Sequence, residues 1–88
     1  MYEIAHRTLT LGTEPPGEVT VTIGLPYEEP TGEWSCPYRI DGLDGWEHER
    51  KVSGADSMET LELVLGVVHA ALEGSHEARE GLLNLDLD

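Results

Sequence analysis

The stretch Trp34-Ser-Cys-Pro-Tyr-Arg-Ile-Asp-Gly-Leu43 decides the fold. Large side chains alternate with smaller or polar ones through it, which predicts a strand at Glu33–Asp41 with one face against a core. Pro37 has no amide proton to donate, so this strand is expected at a sheet edge or to be locally unpaired there. Gly42–Gly45 is typical of a hairpin turn, and Trp46–Ser53 is predicted to be the returning strand.

A second stretch, Gly54-Ala-Asp-Ser-Met-Glu-Thr-Leu-Glu-Leu63, predicts the start of a helix. Asp56 is a good N-cap residue, and Glu59 lies three positions later, which is the spacing of a capping box. The helix is expected to run to about Glu73 with one broad apolar face on the sheet. The members of that face are Met58, Leu61, Val64, Leu65, Val68, Ala71 and Leu72.

Leu63, Val67 and Ala70 form a second apolar patch on the same helix, outside that face. One helix on one sheet would leave this patch in water, so something is expected to cover it. One candidate is the C-terminal segment, where leucines alternate with polar residues in Leu83–Asp88 as in a short strand or an extended strap. The other is a second subunit or a protein partner, which makes these three residues the candidate interface.

Two more strands are predicted before Trp34. Glu18–Leu25 alternates valine, isoleucine and leucine with other residues and is the clearest strand of the chain. In Tyr2–Leu11 the apolar residues change parity along the stretch, which predicts a β-bulge near Arg7 or Thr8.

The expected architecture is a single α+β domain over residues 1–88. A sheet of about four mainly antiparallel strands carries one long helix across one face, in the order ββββα. Residues 75–88 are expected to be a tail or an extra short element. The strand order does not follow from the sequence.

The charge balance narrows the classes of partner. Five Lys and Arg residues stand against 18 Asp and Glu residues, for a formal net charge of −13. Such a chain repels phosphate backbones and anionic lipid surfaces, so we expect neither nucleic acid nor membrane as a partner. No leader pattern opens the sequence, and no apolar run approaches the roughly 20 residues of a membrane span, so a cytoplasmic location is expected.

The first two stretches together resemble an uncharacterised family of small bacterial domains of unknown function. The residues that carry the resemblance are Trp34, Cys36, Tyr38, Ile40, Gly42 and Leu43, followed by Asp56 and Ser57 before a leucine-rich helix. It covers roughly residues 34–72. The resemblance implies a sheet with one helix packed across it, and it brings no catalytic residue or cofactor with it.

Cys36 and His48 are the one candidate catalytic pair, because they would meet across the predicted hairpin if His48 pointed inward. A nucleophilic cysteine needs an electropositive, partly open setting, whereas Cys36 shares an apolar face with Trp34 and Tyr38. A buried structural thiol is therefore favoured, and no catalytic residue is assigned. The histidines and Cys36 lack the spacing of a structural zinc site, so neither a metal nor another cofactor is predicted.

The favoured function is a non-catalytic, acidic protein–protein interaction domain that docks on a basic partner, as an immunity protein, antitoxin or inhibitor would. Excess acid also keeps small proteins soluble, so charge alone supports that simpler interpretation equally. One alternative is a self-associating domain, a homodimer formed through edge strands or through the patch of Leu63, Val67 and Ala70. The other is a small enzyme that uses Cys36 and His48.

Overall fold

The structure, a computed structural model, describes residues 1–83 and confirms the α+β class: an antiparallel sheet with a long helix packed against it. The strands of the described residues are β1 (Glu3–Leu11), β2 (Gly17–Gly24), β3 (Tyr27–Glu28), β4 (Trp34–Asp41) and β5 (Arg50–Gly54). The helices are α1 (Ser57–Glu73) and α2 (His76–Arg79). The sheet order is β1-β2-β4-β3, and β5 pairs with the other edge of β4.

The central strand is β4, and Pro37 lies where its pairing is interrupted. On one edge β2 pairs as far as Tyr38 and β3 begins at Ser35, so Cys36 and Pro37 fall in the gap between them. The other edge pairs with β5 throughout this region, where Pro37 lies opposite Lys51. Of the two placements predicted for the proline, local interruption is therefore the correct one.

The bulge predicted in β1 exists, but its predicted position was wrong. The register shifts between Glu3 and Ala5, and from Ala5 onward β1 pairs regularly with β2. The prediction assumed that Tyr2 and Ile4 face the core, whereas both side chains are exposed. Without that assumption no parity change is needed near Arg7 or Thr8.

Helix α1 begins with the predicted cap. The amide of Glu59 donates to Oδ1 of Asp56 at 2.8 Å, and the carboxylate of Glu59 accepts from the amide of Ala55, also at 2.8 Å. The helix ends at Glu73 as expected.

The buried face of α1 is narrower than predicted, since it consists of the i, i+4 stripe Thr60, Val64, Val68 and Leu72. Thr60 takes an interior position because its hydroxyl donates to the carbonyl of Asp56 at 2.6 Å. Met58 and Leu65, both predicted to face the sheet, are 69% and 58% exposed. The physical reason is that α1 packs mainly on β4 and β5, which leaves the side of the helix that points toward β1 uncovered.

The returning strand starts at Arg50, four residues later than predicted. Trp46 lies in the preceding loop, where it packs partly buried against the core. The guanidinium carbon of Arg50 sits 4.2 Å from the Trp46 ring centroid, and Tyr38 lies beside the same ring at 6.5 Å between centroids. This stacking holds the loop without strand pairing.

Leu82 and Leu83, the last described residues, lie against the sheet. After α2, the carbonyl of Leu82 accepts a hydrogen bond from the amide of Gly12 at 2.8 Å, and Leu83 forms an antiparallel bridge with Leu11. Leu83 is buried in the core. The remaining residues of the predicted strap, Leu85 and Leu87, lie outside the described residues.

Gly42 and Gly45 allow a matched test of the turn after β4. Both have a positive φ, 106° and 87°, but a Cβ on Gly42 would overlap the carbonyl oxygen of Glu18, whereas one on Gly45 would meet open space. Gly45→Ala is expected to lower the free energy of unfolding by roughly 1–2 kcal/mol through backbone strain alone. Gly42→Ala is expected to cost roughly 2 kcal/mol more, because relief of the overlap requires β2 to move. Denaturant unfolding of the two variants checks this, and equal losses would contradict the described turn.

Candidate functional site

Within residues 1–83, strand β1 has one edge that is unpaired over most of its length. Its nine residues pair with β2 along one edge. On the other edge, the described part of the chain contributes only the contacts of Leu82 and Leu83 at the end of the strand, beside Gly12 and Leu11. Unpaired amides and carbonyls of this kind form a template for another strand.

A groove runs alongside this edge, between β1 and α1. Its walls are Ala5, His6, Arg7, Leu9, Val21, Ile23, Leu65, Gly66, Val68, His69 and Leu72. Arg7 and Leu9 lie on the helix side of the sheet because Leu9 pairs with Val19 and Arg7 with Val21, and directly opposed residues share a face. The groove is therefore mainly apolar, and its polar side chains are Arg7, His6 and His69.

The groove stays open because short side chains stand where core residues would fill it. Ala5 occupies the inner face of β1, and a Cβ built on Gly66 of α1 would touch nothing. Leu65 consequently leaves more than half of its surface in water, although it points toward the sheet. An apolar side chain at the lip of an apolar groove is typical of a surface that binds another apolar group.

The groove contains one of the five positively charged side chains of this acidic chain, Arg7. Arg39 pairs with Asp41 and Lys51 with Glu29, each at 3.2 Å, and the hydrogen bond that Lys51 donates to the Glu29 carboxylate raises the pKa of Lys51. By contrast, Arg7, like Arg50 and Arg79, forms no ion pair with the residues that the structure describes. Of these three arginines, Arg7 is the one that lines the groove, where a guanidinium suits a ligand that carries a carboxylate.

The groove and the strands around it fall within one recognised sequence family. A family profile described as "Domain of unknown function (DUF6968)" matches residues 5–88. The chain belongs to this family. The match extends well beyond residues 34–72, where the sequence resemblance was found, and takes in β1 from Ala5 onward and the residues up to Asp88. No curated protein and no solved structure matches the chain.

In this DUF6968 domain the three residues predicted as an interface lie along α1, outside the groove. Leu63 is 43% exposed and Ala70 is exposed, whereas Val67 is partly buried and packs against the core. Val67 therefore belongs to the edge of the core, whereas Leu63 and Ala70 face water. Its role as an interface stays a prediction.

The structure does not pair Cys36 with His48, so that interpretation of the hairpin was wrong. Cys36 is fully buried, its thiol donates to the carbonyl of Gly24 at 3.3 Å, and its cross-strand neighbour is Val52. Burial raises the pKa of the Cys36 thiol, which disfavours the nucleophilic thiolate. His48 is exposed in the loop before β5, because residues 46–49 do not form the predicted strand.

Two other site classes find no support within residues 1–83. No group of histidine, cysteine, aspartate and glutamate there could hold a metal ion. None of the helices in that range is long and apolar enough to cross a membrane.

The groove itself was not predicted from the sequence, because an arginine at an inward-facing strand position carries no apolar signal.

The state of Cys36 can be tested with a thiol reagent. In the native protein we expect Cys36 to react only as fast as the domain opens, while an added Ser53→Cys thiol on the exposed face of β5 reacts at once. Folding raises the pKa of the Cys36 thiol above its ordinary value. The buried thiol therefore contributes to the free energy of unfolding at pH values below the ordinary thiol pKa, and this contribution is lost as the pH rises through the pKa of the folded protein. Native labelling of Cys36 as fast as of the control thiol would contradict this burial.

Proposed function

We propose that this domain is a non-catalytic binding module that accepts an extended segment of a protein partner along the open edge of β1. The single observation that carries the proposal is the combination of that edge with the apolar groove beside it. In strand addition of this kind, main-chain hydrogen bonds supply affinity, and alternate side chains that enter pockets supply specificity. The groove between β1 and α1 would receive every second side chain of the segment.

Charge determines which partners can approach. The net charge of −13 attracts basic proteins over long range and speeds their association, while the exposed Arg7 selects an acidic side chain within the docked segment. An inhibitor, antitoxin or immunity role is the form of this function that excess acid favours most. A cytoplasmic location belongs to the same proposal, because Cys36 is a free thiol.

Leu65 and Leu63 provide a matched pair for testing the groove. They are two positions apart on α1 and similarly exposed, at 58% and 43%, but only Leu65 lines the groove. Extended peptides selected from a displayed random library should shift the amide resonances of β1 and of α1 around Leu65. For such peptides Leu65→Asp is expected to weaken binding by roughly 10-fold to 100-fold, the loss typical of a central apolar contact.

Leu63→Asp serves as the control and should leave the affinity for the same peptides within about twofold, as expected of a residue outside the contact. The proposal fails if the selected peptides perturb the open face of the sheet instead of β1. It also fails if Leu63→Asp weakens binding as much as Leu65→Asp.

Self-association is the second candidate, because Leu63 leaves apolar surface on the outer side of α1. Light scattering over a concentration series separates the two functions. The binding-module proposal predicts a monomer for the parent and for Leu63→Asp alike. A dimer that Leu63→Asp dissociates while the variant stays folded would favour the self-associating domain instead. Val67→Asp is not a suitable probe, since Val67 packs partly against the core.

A further inference from the structure

The bridge between Leu11 and Leu83 sets the direction in which the backbone groups of β1 point. The amide of Gly12 donates to the carbonyl of Leu82 at 2.8 Å, so this hydrogen bond lies beside the bridged pair and not within it. That is the pattern of a narrow, non-hydrogen-bonded pair in an antiparallel ladder. The backbone groups of Gly12 therefore point to the open edge of β1, and those of Leu11 point to β2.

The same alternation extends back along the strand, because β1 pairs regularly with β2 from Ala5 to Leu11. Backbone groups of successive residues point to opposite edges, so those of His6, Thr8 and Thr10 point to the open edge. The residues between them turn their side chains toward the groove. A partner residue opposite Thr8 would exchange main-chain hydrogen bonds with β1, while its two neighbours would send their side chains into the groove.

Arg7 lies at the centre of this groove. Together with Leu65 it lines both halves, one of which lies beside Ala5 and the other beside Leu9. The pairing with β2 gives all three β1 residues inward-facing positions, two apart along the strand. An added strand would thus meet a small apolar residue, an arginine and a leucine in turn.

Among the polar side chains of the groove, Arg7 alone has no carboxylate partner within residues 1–83. Nδ1 of His6 lies 3.2 Å from Oε2 of Glu3. Nε2 of His69 lies 2.9 Å from Oε1 of Glu73. A guanidinium in a mainly apolar wall is best matched by a carboxylate, which it can bind with two hydrogen bonds. The middle of the groove therefore favours an acidic side chain.

The two halves of the groove favour large apolar side chains. Beside Leu9, a Cβ added to Gly66 would meet open space, so there is room for a bulky group. Beside Ala5, the rest of the wall includes aliphatic side chains from β2. Leu83 shows how such a side chain is covered at this edge, since it lies opposite Leu11 and is only 5% exposed.

We propose that the partner segment runs antiparallel to β1 and carries an aspartate or glutamate between two large apolar residues, each two positions away from the acid. This assignment rests on the function proposed above and names its partner. In chain order, the first apolar residue lies opposite Leu9, the acid opposite Arg7 and the second apolar residue opposite Ala5. The two intervening residues face the open side of the sheet, where lysine suits a domain with a net charge of −13. The direction is that of the Leu83 bridge on the same edge.

N-methylated peptides test the register and the direction. The probe has the core Leu-Lys-Glu-Lys-Leu between serine residues, and its affinity for the full-length protein is measured by titration calorimetry. N-methylation of the first core lysine removes the hydrogen bond to the carbonyl of Thr8 and should weaken binding at least about tenfold. N-methylation of the central glutamate should change the affinity less than about threefold, because that amide points away from β1. The opposite order overturns the antiparallel direction, since a parallel strand would turn the glutamate amide toward β1.

Charge reversal tests the central contact. The parent should bind the peptide with a central glutamate about tenfold more tightly than the one with a central lysine, and Arg7→Glu should reverse this preference. Arg79→Glu is the matched control, because Arg79 is also exposed, also forms no ion pair within residues 1–83, and lies in α2 outside the groove. Both variants change the net charge equally. Arg79→Glu should keep the preference for glutamate, and its loss there would overturn the assignment to Arg7.

The outcomes separate this inference from the proposed function. If peptides shift the amide resonances of β1 but Arg7→Glu leaves their preference unchanged, the proposed function stands and the acidic pattern is overturned. If neither the probe nor any peptide from a random library shifts those resonances, the proposed function falls and the pattern falls with it. If light scattering shows a dimer that Arg7→Glu dissociates, the edge belongs to a second copy of this chain, and the partner segment is overturned.

Discussion

The packing of the narrow stripe of α1 on the sheet is the interaction on which the rest of the structure depends. Val64, Val68 and Leu72 are buried there, and each such side chain contributes roughly 1.5–3 kcal/mol by leaving water. The stripe seats α1 mainly over β4 and β5 and away from β1. That off-centre position completes one half of the core and leaves the β1 half partly uncovered.

The uncovered half has the properties of a binding surface because of how β1 is aligned. Pairing of Leu9 with Val19 fixes the parity of the strand, which turns Ala5 and Arg7 toward the helix. A small residue and a charged one cannot fill the space below Leu65, so the groove and the exposed leucine have the same cause. The proposed binding at a strand edge requires no deep pocket, because main-chain hydrogen bonds supply affinity in strand addition.

Much of this architecture follows from the sequence. Strands β2 and β4 and the cap of α1 were predicted because alternation and capping are local signals. The errors arise where tertiary packing overrides them: Trp46 is held by Arg50 outside a strand, Thr60 takes a core position through its hydrogen bond to Asp56, and the bulge lies at the start of β1. The groove is formed by β1, β2 and α1, which come together only when the chain folds. The inward-facing Arg7 is not marked by a local sequence pattern, so the groove could not be predicted from the sequence.

Amide hydrogen exchange along β1 tests the central claim, that the open edge of this strand is a pairing site for an extended segment of a partner. Among residues 1–83, the amides of residues 7–10 that do not face β2 have no strand opposite them. If the account is correct, a bound peptide selected on this domain slows the exchange of these amides and leaves the exchange of the central strand β4 unchanged. If a bound peptide leaves their exchange unchanged, the edge is not the pairing site, and Arg7 is simply an inward charge that discourages strand pairing.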